Sequence, residues 1–241
     1  MHLLRNLDDP RRRLLVKLLA AGAFSAPTLQ ALAQVLGERP AKMPAERSIY
    51  RMNGQVSVNG TPATMAMRVN ANDTIETGKG SEVVFVHADN AYILRASSRM
   101  TIAEQNQGNV VQSALRLITG KVLAVFAPGK PQRILTTTAT IGIRGTGVYT
   151  EADPEQTYFC TCYGVTDINA VNDKQSKKTV KAQHHDEPVY ILAKAKEGKS
   201  IRSAPFINHT DQELMLIETL VGREPPFVFP SEDYGGPRKD Y

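Results

Sequence analysis

An all-β fold is what this sequence predicts: a sandwich or short β-solenoid of many short strands, with one C-terminal amphipathic helix. Three observations carry that expectation. Short apolar alternations recur at close spacing from Tyr50 onward, turn-forming pairs separate them, and one late stretch switches to helical spacing.

The first elements are the clearest. Val56 and Val58 lead into Asn59-Gly60, a strong hairpin signal, and residues 63–69 read as the returning strand. Further strands are expected at 82–87, 91–95, 100–104, 110–118 and 121–126. Asn72-Asp73, Gly78-Lys79-Gly80, Asp89-Asn90, Thr119-Gly120 and Pro128-Gly129 supply the turns between them. Their spacing is only quasi-regular, so no sequence repeat is implied.

Around residue 140 the chain reads Thr138-Ala139-Thr140-Ile141-Gly142-Ile143-Arg144-Gly145-Thr146-Gly147-Val148-Tyr149. β-Branched residues on both sides of the glycines predict strand, sharp backbone feature, strand. A phosphate cradle would need a helix straight after the glycines, and Val148-Tyr149-Thr150 follow instead. The simplest role for Arg144 is structural, an inward-pointing guanidinium satisfying carbonyls where strands turn; carboxylate recognition is the alternative.

This segment, with Ile75-Glu76-Thr77-Gly78-Lys79-Gly80-Ser81 and Leu117-Ile118-Thr119-Gly120-Lys121-Val122 before it, resembles the FecR-domain family over roughly residues 50 to 150. The resemblance implies an envelope-side all-β module that works through contact with another protein or by sensing the envelope. Regulators of that type are expected to carry a cytoplasmic anti-sigma segment and a transmembrane helix ahead of the β-domain. Here an export leader is read in that place, so direct signalling to a sigma factor would need a relay.

The leader is expected at residues 1–33. Arg11, Arg12, Arg13 and Lys17 precede the apolar run 18–24, and Ala31-Leu32-Ala33 offers a cleavage site before Gln34. Arg12-Arg13 fits a twin-arginine signal, and the same layout fits an ordinary Sec signal. A membrane anchor is disfavoured, since Ser25, Pro27, Thr28, Gln30 and Gln34 interrupt the window a span would need. No stable membrane span is therefore expected after leader removal, and the expected location is the periplasm of a Gram-negative envelope.

Charge follows the leader. The net charge of +5 rests on 29 basic and 24 acidic residues, and residues 1–33 hold five of the former and two of the latter, leaving 24 against 22. Lys174, Lys177, Lys178 and Lys181 form the densest basic run without interleaved aromatics. That is a solvated sheet edge rather than a nucleic-acid footprint, and no nucleic-acid partner is expected.

Near the end, Thr210-Asp211-Gln212-Glu213 is a capping box, and Leu214, Ile217, Leu220 and Val221 follow at helical spacing before Gly222. One helix docking on the sheet is expected. The domain reading is a β-domain at 45–170, an extension with the helix at 171–223, and a flexible tail at 224–241.

Only two cysteines exist, Cys160 and Cys162 in the apolar run Tyr158-Phe159-Cys160-Thr161-Cys162-Tyr163. On a strand they share one face, with Cα atoms roughly 6 to 7 Å apart and Cβ vectors nearly parallel, poor geometry for a disulfide. Two thiolates so placed suit a soft metal, with His184 and His185 as the expected partners, His209 available further on, and Asp186 to orient a ring nitrogen. Zinc and copper are the metals compatible with that set. A local disulfide at a strand bulge remains the alternative.

No Gly-x-Ser-x-Gly elbow, His-Glu-x-x-His helix or EF-hand loop occurs, and a second cysteine two residues away would trap a cysteine nucleophile by oxidation. The chain reads as no enzyme. Its function is expected to be that of an exported binding or regulatory module contacting an unidentified envelope protein, with a periplasmic metal-binding or redox protein as the alternative.

Overall fold

The structure is a computed structural model that describes residues 41–107, 110–196 and 199–226. The leader expected at 1–33 and most of the tail expected at 224–241 lie outside the described residues. Among the described residues the fold is all-β, a 14-stranded sheet with the single helix α1 (Asp211–Leu220) near the C-terminus.

The chain enters through β1 (Ile49–Asn53), β2 (Val56–Val58) and β3 (Thr61–Pro62). Asn59 and Gly60 between β2 and β3 take φ of 52° and 79°, the two left-handed residues a tight hairpin turn requires. The strand expected at 63–69 does not form. Pro62 removes a ladder donor, the Met67 N–H turns back to the Thr64 carbonyl at 3.0 Å, and Asp73 collects the Asn70 N–H and the Asn59 side chain.

Next come β4 (Thr74–Thr77), β5 (Glu82–His87), β6 (Asn90–Leu94), β7 (Arg99–Gln107) and β8 (Val110–Val125). Two strands were expected where the single long β8 stands. Thr119-Gly120 does not reverse the chain but bends it: Gly120 sits at φ 95°, and a Cβ there would lie 2.4 Å from Ser98 Cα. Residues 110–119 pair with β7, while residues 120–125 pass between β6 and β10 (Ala139–Ala152).

β5, β6, the end of β8, the end of β10 and the start of β11 (Gln156–Ala170) therefore lie side by side. Alternate residues bury on opposite faces. Phe85, Tyr92, Leu94, Val122 and Ala124 enter the larger core, shared with Val58, Ile75, Met100 and Ile134 from β2, β4, β7 and β9 (Gln132–Leu135). Val84, Ile93, Leu123, Val125 and Tyr149 enter a second core beneath α1. Burial on both faces explains why Val83-Val84-Phe85-Val86 and 122–126 are continuous apolar runs rather than alternations.

α1 starts and stops where its sequence signals stand. The Thr210 hydroxyl accepts the Glu213 N–H while the Glu213 carboxylate accepts the Thr210 N–H, and Gly222 closes the end at φ 76°. Leu214, Ile217 and Leu220 are fully buried against the sheet.

Two peripheral expectations resolve differently. β12 (Lys177–Ala182) pairs with β11, burying Val180 and Ala182 and leaving Lys177 and Lys181 exposed, as a solvated edge should. Arg144 does not point inward. Its side chain is 67% exposed and pairs with Asp167 across β10 and β11, and the left-handed Gly145, φ 59°, packs its own backbone against Pro128. That glycine is the sharp feature the sequence predicts inside β10, and the register shifts between Arg144 and Gly147. The remaining strands are β13 (Val189–Lys196) and β14 (Lys199–Ser203).

Candidate functional site

Cys160 and Cys162 lie in β11 and turn to the helix-side core, with Tyr158 on the same face. Cys160 stands opposite Tyr149 of β10; the register then steps from Val148↔Thr161 to Gly147↔Tyr163, leaving Cys162 as the extra residue of a bulge. Both cysteines are free and fully buried.

Two loops bring the histidines. The tight loop between β12 and β13 is shaped by Asp186, whose carboxylate accepts the Gln183 and His184 N–H groups at 2.8 and 3.3 Å. His185 takes φ 56° in that loop, and its N–H donates to the Cys162 carbonyl at 2.8 Å. The segment before α1 is held by Tyr158, whose hydroxyl donates to the Pro205 carbonyl at 3.0 Å and accepts the Ile207 N–H at 3.3 Å. Asn208, at φ 62°, then turns His209 inward.

The donor atoms converge. His185 Nδ1 lies 3.8 Å from Cys160 Sγ, His209 Nε2 lies 3.4 Å from Cys162 Sγ, and the two ring nitrogens are 3.1 Å apart. All four atoms fall within 4.8 Å of one another. Tyr149 stacks on the His209 ring at 4.5 Å, and Phe206 packs against both rings. Cys160 and Cys162 are 0% exposed, His209 1% and His185 7%.

Asp211, the first residue of α1, is fully buried beside the cluster. Its Oδ1 lies 2.8 Å from His185 Nε2 and its Oδ2 2.9 Å from His184 Nε2. The helix N-terminus favours a carboxylate at that position. Of the residues expected from sequence, Cys160, Cys162 and His185 therefore meet; His184 turns away to Asp211, and His209 takes the fourth place. The ring-orienting role expected of Asp186 belongs to Asp211 instead. In sequence Asp211 reads only as part of a capping box, and nothing local marks its reach to a loop some 25 positions earlier.

The electrostatics separate the two thiols. Burial pushes the Cys160 thiol up, but its contacts with Cys162, His185 and His209 outweigh it and hold the group well below its usual range. Burial and then Cys160 itself push Cys162 well above it. For His185, burial works against the charged ring, but Cys160 and Asp211 outweigh it and raise the pKa.

Residues 73–164 match the family model described as FecR protein. The FecR resemblance read from the sequence is thus shown, and the matched span holds Cys160 and Cys162 but not the two loops that carry the histidines. The fold is similar to two crystal structures described provisionally as an anti-sigma factor from Parabacteroides distasonis ATCC 8503. Each is 14% identical with a TM-score of 0.45; one alignment covers 67% of this chain and 82% of the other, the second 69% and 85%. No curated protein matches the chain.

Proposed function

We propose that the protein is an envelope-side regulatory module that acts by contact with another protein. The observation that carries this reading is the FecR match across residues 73–164, which spans β4 to β10 and the first part of β11. The enclosed Cys/His site supports a non-enzymatic role, because a reacting metal or thiol needs a position open to substrate. Among the described residues no helix is long and apolar enough to cross a membrane.

Cell fractionation with in vivo cross-linking tests the reading. Recovery of the chain in the periplasmic fraction, cross-linked to one reproducible protein partner, is the expected outcome. A chain confined to the cytoplasm, or one that cross-links to nothing in the envelope, would overturn it.

A further inference from the structure

We propose that Cys160, Cys162, His185 and His209 bind one Zn2+ ion in a closed tetrahedral site that latches α1 and its leading loop to the sheet. Zinc bonds of about 2.3 Å to sulfur and 2.0 to 2.1 Å to nitrogen set tetrahedral edges of roughly 3.3 to 3.8 Å. Three of the six edges, 3.1, 3.4 and 3.8 Å, lie close to that range, and all six fall within 4.8 Å.

The ring tautomers point the same way. His209 Nδ1 faces the Ile207 carbonyl at 2.7 Å and must carry its proton, which leaves Nε2 as a bare lone pair. His185 Nε2 donates to Asp211, which leaves Nδ1 bare in the same manner. Two lone pairs facing at 3.1 Å repel, and thiolate charge beside them compounds it, unless protons or a cation stand between. One divalent cation with two thiolates leaves a neutral centre, the form of charge a dry site tolerates.

The backbone is held to the same end. His185 and Asn208 occupy left-handed conformations that non-glycine residues rarely adopt, and each sets one of the two histidines. Two imidazoles and two thiolates suit zinc; copper(I) would be satisfied by the thiolates, and calcium or magnesium would need oxygen ligands. With all four donors buried no position remains for a reacting water, so the ion is structural. His184 Nε2 is engaged by Asp211 and is not one of the four ligands.

Elemental analysis of the full purified chain, followed by Co2+ substitution, tests this site independently of any protein partner. One zinc per chain is expected, with thiolate-to-cobalt charge-transfer and intense tetrahedral d–d bands after exchange. His209→Ala should lose stoichiometric zinc and His184→Ala should retain it. Should His209→Ala fail to fold, the wild-type stoichiometry and the His184→Ala result still decide. A metal-free wild-type chain with a Cys160–Cys162 disulfide in its mass, copper in place of zinc, or zinc lost from His184→Ala and kept by His209→Ala would each overturn the assignment.

Discussion

Arg95 Nη2 lies 2.9 Å from Glu213 Oε1, and the other oxygen of the same carboxylate accepts the Thr210 N–H that opens α1. Arg95 follows the end of β6, so one guanidinium ties the sheet to the helix cap. It also donates to the Asn208 carbonyl at 3.1 Å and lies over the Tyr149 ring that stacks on His209. Its side chain is 7% exposed. Removing one partner of such a pair strands the other in low dielectric, so Arg95→Ala should lower unfolding free energy by roughly 3 kcal/mol. Urea denaturation measures it, and a loss under ~1 kcal/mol would show that Glu213 finds water instead.

Gly120 and Gly60 make a matched pair of glycine tests. Both have positive φ, 95° and 79°, but a Cβ at Gly120 meets Ser98 backbone at 2.4 Å while one at Gly60 meets nothing within 4 Å. Gly60→Ala should cost only the left-handed penalty, about 1 kcal/mol. Gly120→Ala adds a backbone collision at the bend of β8 and should cost about 3 kcal/mol or more. Equal midpoint shifts in urea would refute the bend as the cause.

Those contrasts mark what the sequence discloses. Asn59-Gly60, the capping box at Thr210 and the i, i+2 placement of Cys160 and Cys162 depend on local geometry, and each could be read before any fold was known. The strand expected at 63–69 failed because its alternation carries no record of Pro62 at a strand end or of the Asp73 side chain. β8 was split in two because Gly120 signals a break whether the chain reverses or merely bends. His209 could be named as an available ligand, but that it displaces His184, and that Asp211 reaches His185, follow only from α1 docking, a tertiary relation with no local pattern.

Arg144 should be nearly silent in stability. Its pair with Asp167 is largely solvated, and exposed pairs contribute about 0.2 to 1 kcal/mol. Asp167 is held below its ordinary 3.8, first by the Thr179 hydroxyl and then by Arg144. A depressed carboxyl stabilises the fold above the unfolded value and loses that effect as pH falls through the folded one. Because the pair is solvated and Thr179 still bonds Asp167, Arg144→Ala should leave the melting temperature at pH 7 almost unchanged; a drop of many degrees would mean that the guanidinium supports the β10 bulge after all.

Glu218 titrates with the opposite sign. Burial raises its carboxyl above 4.5, against hydrogen bonds from Tyr163 and Arg223 and the Arg223 charge, which lower it. A raised carboxyl binds its proton more tightly in the folded chain, so its contribution is full below 4.5 and disappears as pH rises through the folded value. Wild type should lose stability across that window relative to Glu218→Gln, which cannot titrate. Urea midpoints at a series of pH values compare the two, and parallel curves would show that Glu218 keeps its ordinary affinity.

Chelation should act on one end of α1. The far end is held separately, since the Tyr163 hydroxyl donates to Glu218 and Arg223 Nε lies 2.7 Å from the same carboxylate. Leu214, Ile217 and Leu220 also bury against the sheet. Stripping zinc should thus accelerate amide hydrogen exchange across residues 204–213 and at His185, leave β5 and β6 protected, and spare 217–221. Exchange mass spectrometry before and after chelation resolves these segments. Uniform acceleration across the sheet would make the ion part of the global core, and no change at 204–213 would remove the latch.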